Sequence, residues 1–174
     1  MEIDIIAKTK NKDEFYKKYK KSDNKKLFYG TSLIFYSIMN NDLDTRYEIS
    51  NFLLDEGVDV KMQDEEGNTV LHILLAREEH DIIETTKLCK RFLDLGVDIN
   101  VLDNKNRLAF QWVINMKYTD IELEPLYNLF LSYENVDFTT KNEWGFSPLD
   151  LANKLPYRNI IVNKIKEYIK NQGE

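Results

Sequence analysis

The chain has 174 residues, of which 43% are hydrophobic and 31% charged, as in an ordinary folded domain. Its net charge of -6 argues against nucleic acid as the main partner, because phosphate binding needs clustered Lys and Arg. A single cysteine, Cys89, excludes an intrachain disulfide and a zinc site built on cysteines. The acidic start of the chain and the lack of a long apolar run predict a cytoplasmic protein without a membrane segment.

A motif of about ten residues recurs four times along the chain. Its anchor positions are Gly30, Gly67, Asn106 and Gly145, spaced 37, 39 and 39 residues apart. A period of this length is typical of stacked structural repeats. The sequence therefore predicts one domain, 1–174, made of an N-terminal capping helix pair (1–26) and repeats 27–63, 64–102, 103–141 and 142–174.

A second motif closes the repeats and carries Gly57, Gly96 or Asn135. In both motifs Asn replaces Gly at one copy, and Asn is the residue that most readily shares the left-handed backbone region with Gly. The first motif therefore predicts a turn with a positive φ at its anchor, and the second motif predicts a helix C-cap.

The segments between these motifs predict helices. Leu88, Cys89, Phe92 and Leu93 recur at helical spacing, which places Cys89 in the core. Helix N-termini are predicted at Ser32, Thr69 and Ser147, each of which precedes an apolar run. A terminal helix is predicted over Asn159–Lys170, with Ile160, Ile161, Ile165, Tyr168 and Ile169 facing inward.

The two motifs resemble those of ankyrin repeats. The family pattern is Asp-x-x-Gly-x-Thr-Pro-Leu-His-x-Ala, followed by a second helix that ends Leu-Leu-x-x-Gly-Ala-Asp-Val-Asn. Gly67–His72 and Gly145–Leu149 match the first part, and Gly96–Asn100 matches the second. The resemblance covers nearly the whole chain and implies an all-α ankyrin-repeat solenoid of antiparallel helix pairs joined by turns.

The chain departs from this family in two respects. Each repeat is longer than the family's, and we expect the extra residues within Ala76–Glu84 and Lys117–Glu124. The family's histidine, which braces the turn, is present only as His72, and Phe35, Gln111 and Asp150 replace it elsewhere.

The resemblance implies a non-enzymatic module that binds a protein partner through a concave face made of turn tips and first helices. Carried over by position, the partner-contacting residues are Phe28, Tyr29, Thr31, Met39, Asn40, Glu65, Glu66, Asn68, Arg77, Asn104, Lys105, Arg107, Asn115, Met116, Glu143, Trp144, Phe146 and Lys154.

Some of these residues have alternative interpretations. Trp144 either contacts a partner or packs on the neighbouring turn, and Phe28 and Tyr29 either contact a partner or pack against the N-terminal helices. The acidic tip Asp64–Glu66 either attracts a basic partner or is simply solvated.

Several partners are compatible with this sequence. One hypothesis is an immunity or inhibitor protein that neutralises a basic bacterial toxin, and an alternative is an adaptor or effector scaffold acting on a cellular protein. Remote alternatives are an enzyme using His80 and nearby carboxylates, and a nucleic-acid binder using the Lys-rich segment 17–26, which is otherwise the solvated face of a capping helix. We expect a monomer without a cofactor, metal or small-molecule substrate, and we place His80 in a charged surface stretch.

Overall fold

Ten α-helices and two short 3₁₀ helices make up the computed structural model, which describes residues 1–173 and contains no β-strand within them. The all-α prediction is confirmed. The α-helices are α1 (Ile3–Thr9), α2 (Lys12–Lys18), α3 (Ile34–Ser37), α4 (Leu43–Asp55), α5 (Val70–Leu75), α6 (Ile82–Asp94), α7 (Phe110–Ile114), α8 (Asp120–Leu131), α9 (Pro148–Asn153) and α10 (Asn159–Gln172). The 3₁₀ helices are Lys21–Lys25 and Pro156–Arg158.

The helices form two layers. The odd-numbered helices are short, and each packs against the next along the chain, from α1 through α3, α5 and α7 to α9. The even-numbered helices follow the same order from α2 to α10, and each contacts the odd-numbered helix that precedes it. The core lies between the two layers and continues from Ile3 to Ile165.

Polar side chains fix where the helices begin. Asp42, Asp81 and Thr119 accept hydrogen bonds from backbone amides in the first turn of α4, α6 and α8, which satisfies donors that the helix itself leaves free. Thr69 and Ser147 are N-caps, as predicted. Ser32 is not, because its hydroxyl donates to the Asp59 carbonyl oxygen and α3 begins two residues later.

The backbone φ angles and hydrogen bonds test the two predictions for the Gly and Asn positions, a turn at the first motif and a helix C-cap at the second. All four anchors have positive φ, from 55° at Asn106 to 85° at Gly145. Gly57 follows α4, where its N–H donates to the Leu54 carbonyl and Val58 N–H donates to Leu53, the hydrogen bonds of a Schellman C-cap. Gly96 repeats this arrangement.

Asn135 has a positive φ of 57° but does not cap its helix. Helix α8 ends at Leu131, and the Asn135 and Val136 amides donate to Gln172 Oε1 and to the Tyr168 hydroxyl instead. The C-cap prediction is therefore wrong at this position, because the C-cap of α8 is Ser132, three residues before Asn135.

Helix α10 begins at the predicted residue, but its inward face is narrower than predicted. Ile161 and Ile165 are buried and Tyr168 is half-buried, whereas Ile160 and Ile169 are 39% and 40% exposed. Helix α10 is the last helix described, and its neighbour in its own layer is α8. Its outer side chains therefore meet solvent, which corrects the placement of these two isoleucines.

Buried polar groups brace the connections between short and long helices. His80 is only 6% exposed, which corrects its predicted surface position. Its ring nitrogens bond to Thr85 Oγ1 and the Arg77 carbonyl oxygen, each at 2.9 Å. The Tyr118 hydroxyl accepts the His80 amide at 2.8 Å and donates to the His80 carbonyl oxygen at 3.0 Å. Thr85 and Tyr118 lie outside the charged stretch 77–81, so its composition did not indicate these contacts.

The connection 115–119 is held by a buried ion pair. Arg158 is fully buried and donates to the carbonyl oxygens of Ile114, Met116 and Tyr118 at 2.6–2.9 Å. Its Nη1 also lies 3.3 Å from Asp120 Oδ1. One guanidinium therefore links the end of α7, the start of α8 and the segment before α10.

Replacing Arg158 with Ala should destabilise the fold by about 3–5 kcal/mol, because it leaves a buried carboxylate without its cation. Urea unfolding followed by circular dichroism measures this change. The control is Lys90→Ala, which removes an exposed pair with Asp94 and should leave the unfolding midpoint nearly unchanged. Equal midpoints for the two variants would show that the buried pair does not stabilise the connection.

Burial lowers the pKa of His80 from 6.5 to about 4, so the ring is neutral in the folded protein at pH 7. Between these two pH values the unfolded state binds more protons than the folded state. Stability should therefore fall as the pH drops from 6.5 towards 4, by up to about 3 kcal/mol from this residue. His80→Gln should flatten this part of the pH dependence in urea titrations, and an unchanged slope would contradict the assignment.

Candidate functional site

The first to fourth turns are those at the anchors Gly30, Gly67, Asn106 and Gly145, and the last three share one hydrogen-bonding pattern. At the second turn, Asp64 Oδ1 accepts the amides of Glu66 and Asn68, and Gly67 N–H donates to the Asp64 carbonyl oxygen. Asp103 and Asn142 make the same bonds at the third and fourth turns. The side chain at the start of each turn thus satisfies amides that the tight backbone leaves free.

Neighbouring turns are joined edge to edge. The Asn104 backbone N–H donates to the Glu66 carbonyl oxygen at 2.9 Å, and the Glu143 backbone N–H donates to the Lys105 carbonyl oxygen at 3.0 Å. Asn104 Nδ2 adds a bond to the Glu65 carbonyl oxygen. These links hold the second, third and fourth turns as one continuous edge.

His72 links its own turn to the next one. Its Nδ1 accepts from the Thr69 amide and hydroxyl, and its Nε2 lies 2.8 Å from the Arg107 carbonyl oxygen. Because Nδ1 accepts, the proton is on Nε2, which donates to that carbonyl. Burial lowers the pKa of His72, which favours this neutral form. Its predicted bracing role is confirmed.

The first turn differs from the others. It is a tight turn closed by two bonds between Phe28 and Thr31, with positive φ at both Tyr29 and Gly30. Within residues 1–173, no backbone hydrogen bond joins it to the second turn. Tyr29 is 83% exposed, and a cleft of about 300 Å³ separates it from Asp64–Glu66.

A row of half-buried apolar side chains runs along the short helices. Tyr36, Ile73, Trp112 and Leu151 each lie six residues after an anchor and pack against the core from its edge. None of these four residues was among the predicted contact residues, although their constant spacing of six residues from the anchors is visible in the sequence. The Trp112 indole N–H in this row is buried and has no hydrogen-bond acceptor.

Three cations lie over aromatic rings near the third and fourth turns. Lys105 Nζ is 5.7 Å from the Trp144 ring centroid, and Lys154 Nζ is 3.4 Å from that of Phe146. The Arg107 guanidinium, paired with Asp103, lies 5.0 Å over Trp112. This basic–aromatic corner contrasts with Glu65 and Glu66 at the second turn, which form no ion pair among the described residues.

The structure places the predicted partner-contacting residues at three levels of burial. Those exposed are Tyr29, Glu65, Glu66, Asn104, Lys105, Asn115, Glu143, Trp144 and Lys154. Those half-buried are Phe28, Met39, Arg77, Arg107 and Phe146. Trp144 itself is 57% exposed, so it is not packed away on the neighbouring turn.

Four predicted contact residues are buried, which corrects their assignment to the surface: Thr31, Asn40, Asn68 and Met116. Asn40 Nδ2 donates to two carbonyl oxygens at the end of α1, and Asn68 Nδ2 donates to Asp64. Thr31 bonds within its own turn, and Met116 packs in the core. The three polar side chains therefore hydrogen-bond within the chain, and Met116 packs within it.

The remaining sites named from sequence are now placed. Cys89 is buried as predicted, and burial raises the pKa of its thiol. The lysines of segment 17–26 are all exposed. Among the described residues, no three His, Cys, Asp or Glu side chains are grouped so that they could hold a metal ion, and no helix has the length and apolar character to cross a bilayer.

Comparison with known proteins gives a structural relative. No family model matches the chain, and no curated protein matches it significantly. A crystal structure of a functionally unknown protein from Leptotrichia buccalis C-1013-b is similar, with a TM-score of 0.86 and 27% identity. The match covers 99% of this chain and 94% of that one, so the two share the all-α fold from end to end.

The contact between the second and third turns can be tested at Gly67. A Cβ at Gly67 would lie 2.7 Å from Asn104 Oδ1 and 3.0 Å from the Asn104 backbone nitrogen. A Cβ at Gly145 would meet nothing within 4 Å. Gly145→Ala should cost about 1–2 kcal/mol for the left-handed backbone alone. Gly67→Ala should cost at least about 1 kcal/mol more, because Asn104 must move. Equal losses in urea unfolding would mean that the turn contact adds no stability.

Proposed function

We propose that this chain is an ankyrin-type solenoid that binds another protein through the face formed by its turn tips and short helices. The observation that carries the proposal is the row Tyr36, Ile73, Trp112 and Leu151, which lies beside exposed aromatic side chains on the turns. The cleft between Tyr29 and the second turn also contains Tyr36, and Arg107 reaches from the third turn to Trp112. Turns and short helices therefore contribute to one surface.

The positive φ values and the two helical layers support the ankyrin-type assignment. The anchors repeat one turn, His72 bonds as the family's histidine does, and each helix pair packs on the next. A stack of this kind offers an extended surface rather than an enclosed pocket. A stable complex on it would bury about 1,600 Å² in total.

Rigidity of the turns favours binding. The edge-to-edge hydrogen bonds hold Trp144 and its neighbours in place before a partner arrives. Less conformational entropy is then lost on association, and an exposed Trp on a fixed support is the kind of residue that dominates interface energies.

Within this proposal, the function we favour is inhibition, with the chain acting as an immunity protein for a bacterial toxin. The net charge of -6 and the unpaired Glu65 and Glu66 would speed association with a basic partner. An adaptor that recruits a cellular protein is the alternative.

Co-expression with the products of adjacent genes separates these two functions. An immunity protein should restore growth when a toxic neighbour is expressed and should form a 1:1 complex that weakens as salt rises. An adaptor would bind its partner without rescuing growth. If no adjacent product is toxic and none binds, the immunity hypothesis is wrong.

Trp144→Ala should weaken binding to the captured partner by about 30-fold or more, the effect of losing about 2 kcal/mol. The far-ultraviolet circular dichroism should not change, because Trp144 is exposed and lies outside the helices. The control is Ile121→Ala, which removes an exposed side chain from α8 in the other layer. Equal effects of both variants on affinity would place the interface elsewhere.

A further inference from the structure

Two arginines are buried, and only one of them has a counter-ion among the described residues. Arg158 has Asp120, as described above. Arg46 is 1% exposed, and its Nε and Nη1 donate to the carbonyl oxygens of Asn40 and Glu79, both at 2.7 Å. No carboxylate of the described residues lies within 4 Å of its guanidinium nitrogens.

A buried charge without a counter-ion is costly, and carbonyl dipoles compensate it only in part. Burial and the nearby charge of Arg77 both lower the pKa of Arg46. Among the described residues this cation therefore has no ion-pair partner, and its guanidinium lies 5.9 Å from the centre of the Tyr47 ring.

A second guanidinium with a free donor lies beside it. Arg77 donates through Nη2 to Asn41 Oδ1 at 2.6 Å. Its Nε is buried and has no hydrogen-bond acceptor. Arg77 also lacks a carboxylate within 4 Å among residues 1–173. The described residues thus leave the hydrogen-bonding capacity of this guanidinium only partly used.

Both guanidiniums line one open cleft of about 380 Å³, together with Asn41, Glu78 and Glu79. A second cleft of similar volume shares Arg77 and Asn41 and is lined by Lys8 and Lys10. Four cations, from α1, its C-terminal end, α4 and the connection after α5, thus line two adjoining clefts.

We propose that this cleft is a binding site for an oxyanion, a carboxylate or phosphate group held between Arg46 and Arg77. The oxygens of such a group would accept from the guanidinium nitrogens of Arg77 that face the cleft and would add the negative charge that Arg46 lacks. Guanidinium groups suit this role because their planar donors match carboxylate and phosphate oxygens. The site does not depend on the proposed partner-binding function.

Glu78 and Glu79 also line the cleft, and both are exposed. Their charges oppose an incoming anion, so binding should be modest, with a Kd of about 1 mM. Removing one of these charges should strengthen binding. Glu79→Gln serves this purpose, because Arg46 bonds to the backbone carbonyl of Glu79 and not to its side chain.

The test follows the arginine Nε–H signals of the isotope-labelled full chain by NMR. Sodium phosphate and sodium acetate are titrated separately, with sodium chloride balancing the ionic strength. We expect a saturable downfield shift of the Arg77 Nε–H signal with at least one ion, and an affinity increase of about fivefold in Glu79→Gln. Phosphate alone would identify a phosphoryl ligand, and acetate binding would identify a carboxylate.

Arg77→Lys keeps the charge but removes the planar guanidinium donors, and it should lower the affinity at least tenfold. Its control is Arg91→Lys, at a surface arginine paired with Asp55, which should bind as the wild type does. The proposal is overturned if neither ion shifts the Arg77 signal, or if Arg77→Lys binds as tightly as the wild type.

Discussion

The second turn is completed by the turn that follows it, and the hydrogen bond from His72 to the Arg107 carbonyl oxygen shows how. His72 fixes its own turn through Thr69 and satisfies a carbonyl of the next turn with its other nitrogen. The bonds from Thr69 require a neutral ring, because Nδ1 must accept them, and the link to Arg107 requires a turn of fixed shape, which the positive φ at the anchor provides. Because the link joins two helix pairs, the pair α5–α6 does not reach its final hydrogen bonding alone.

The sequence predicted best what local geometry controls. The exchange of Gly for Asn at position 106 was enough to predict a left-handed backbone there, because few other residues adopt it. The N-caps at Thr69 and Ser147 followed from side-chain chemistry within four residues. For Trp144 the sequence left exposure and packing on the neighbouring turn open, and the structure shows exposure.

The sequence failed where distant groups decide the outcome. His80 stands among charged residues and yet is buried, because Thr85 and Tyr118 give it partners that no short window reveals. Asn135 is left-handed as predicted, but α8 ends before it, and side chains of α10 accept the amides there. The missing counter-ion of Arg46 is likewise visible only when the chain is folded, since Glu78 and Glu79 are close to it in space without pairing with it.

Charge on the proposed binding face is divided, and this division restricts the partner more than the net charge does. The overall charge of -6 acts at long range and affects how fast a partner arrives. Contact depends on local charge, and there Lys105 and Lys154 sit on Trp144 and Phe146 while Glu65 and Glu66 occupy the neighbouring turn. A uniformly basic partner would be repelled at the basic–aromatic corner, because Lys105 and Lys154 lie over the aromatic rings that it would have to cover. If docking occurs as proposed, the partner must therefore present basic groups to the second turn and acidic or neutral groups to the fourth.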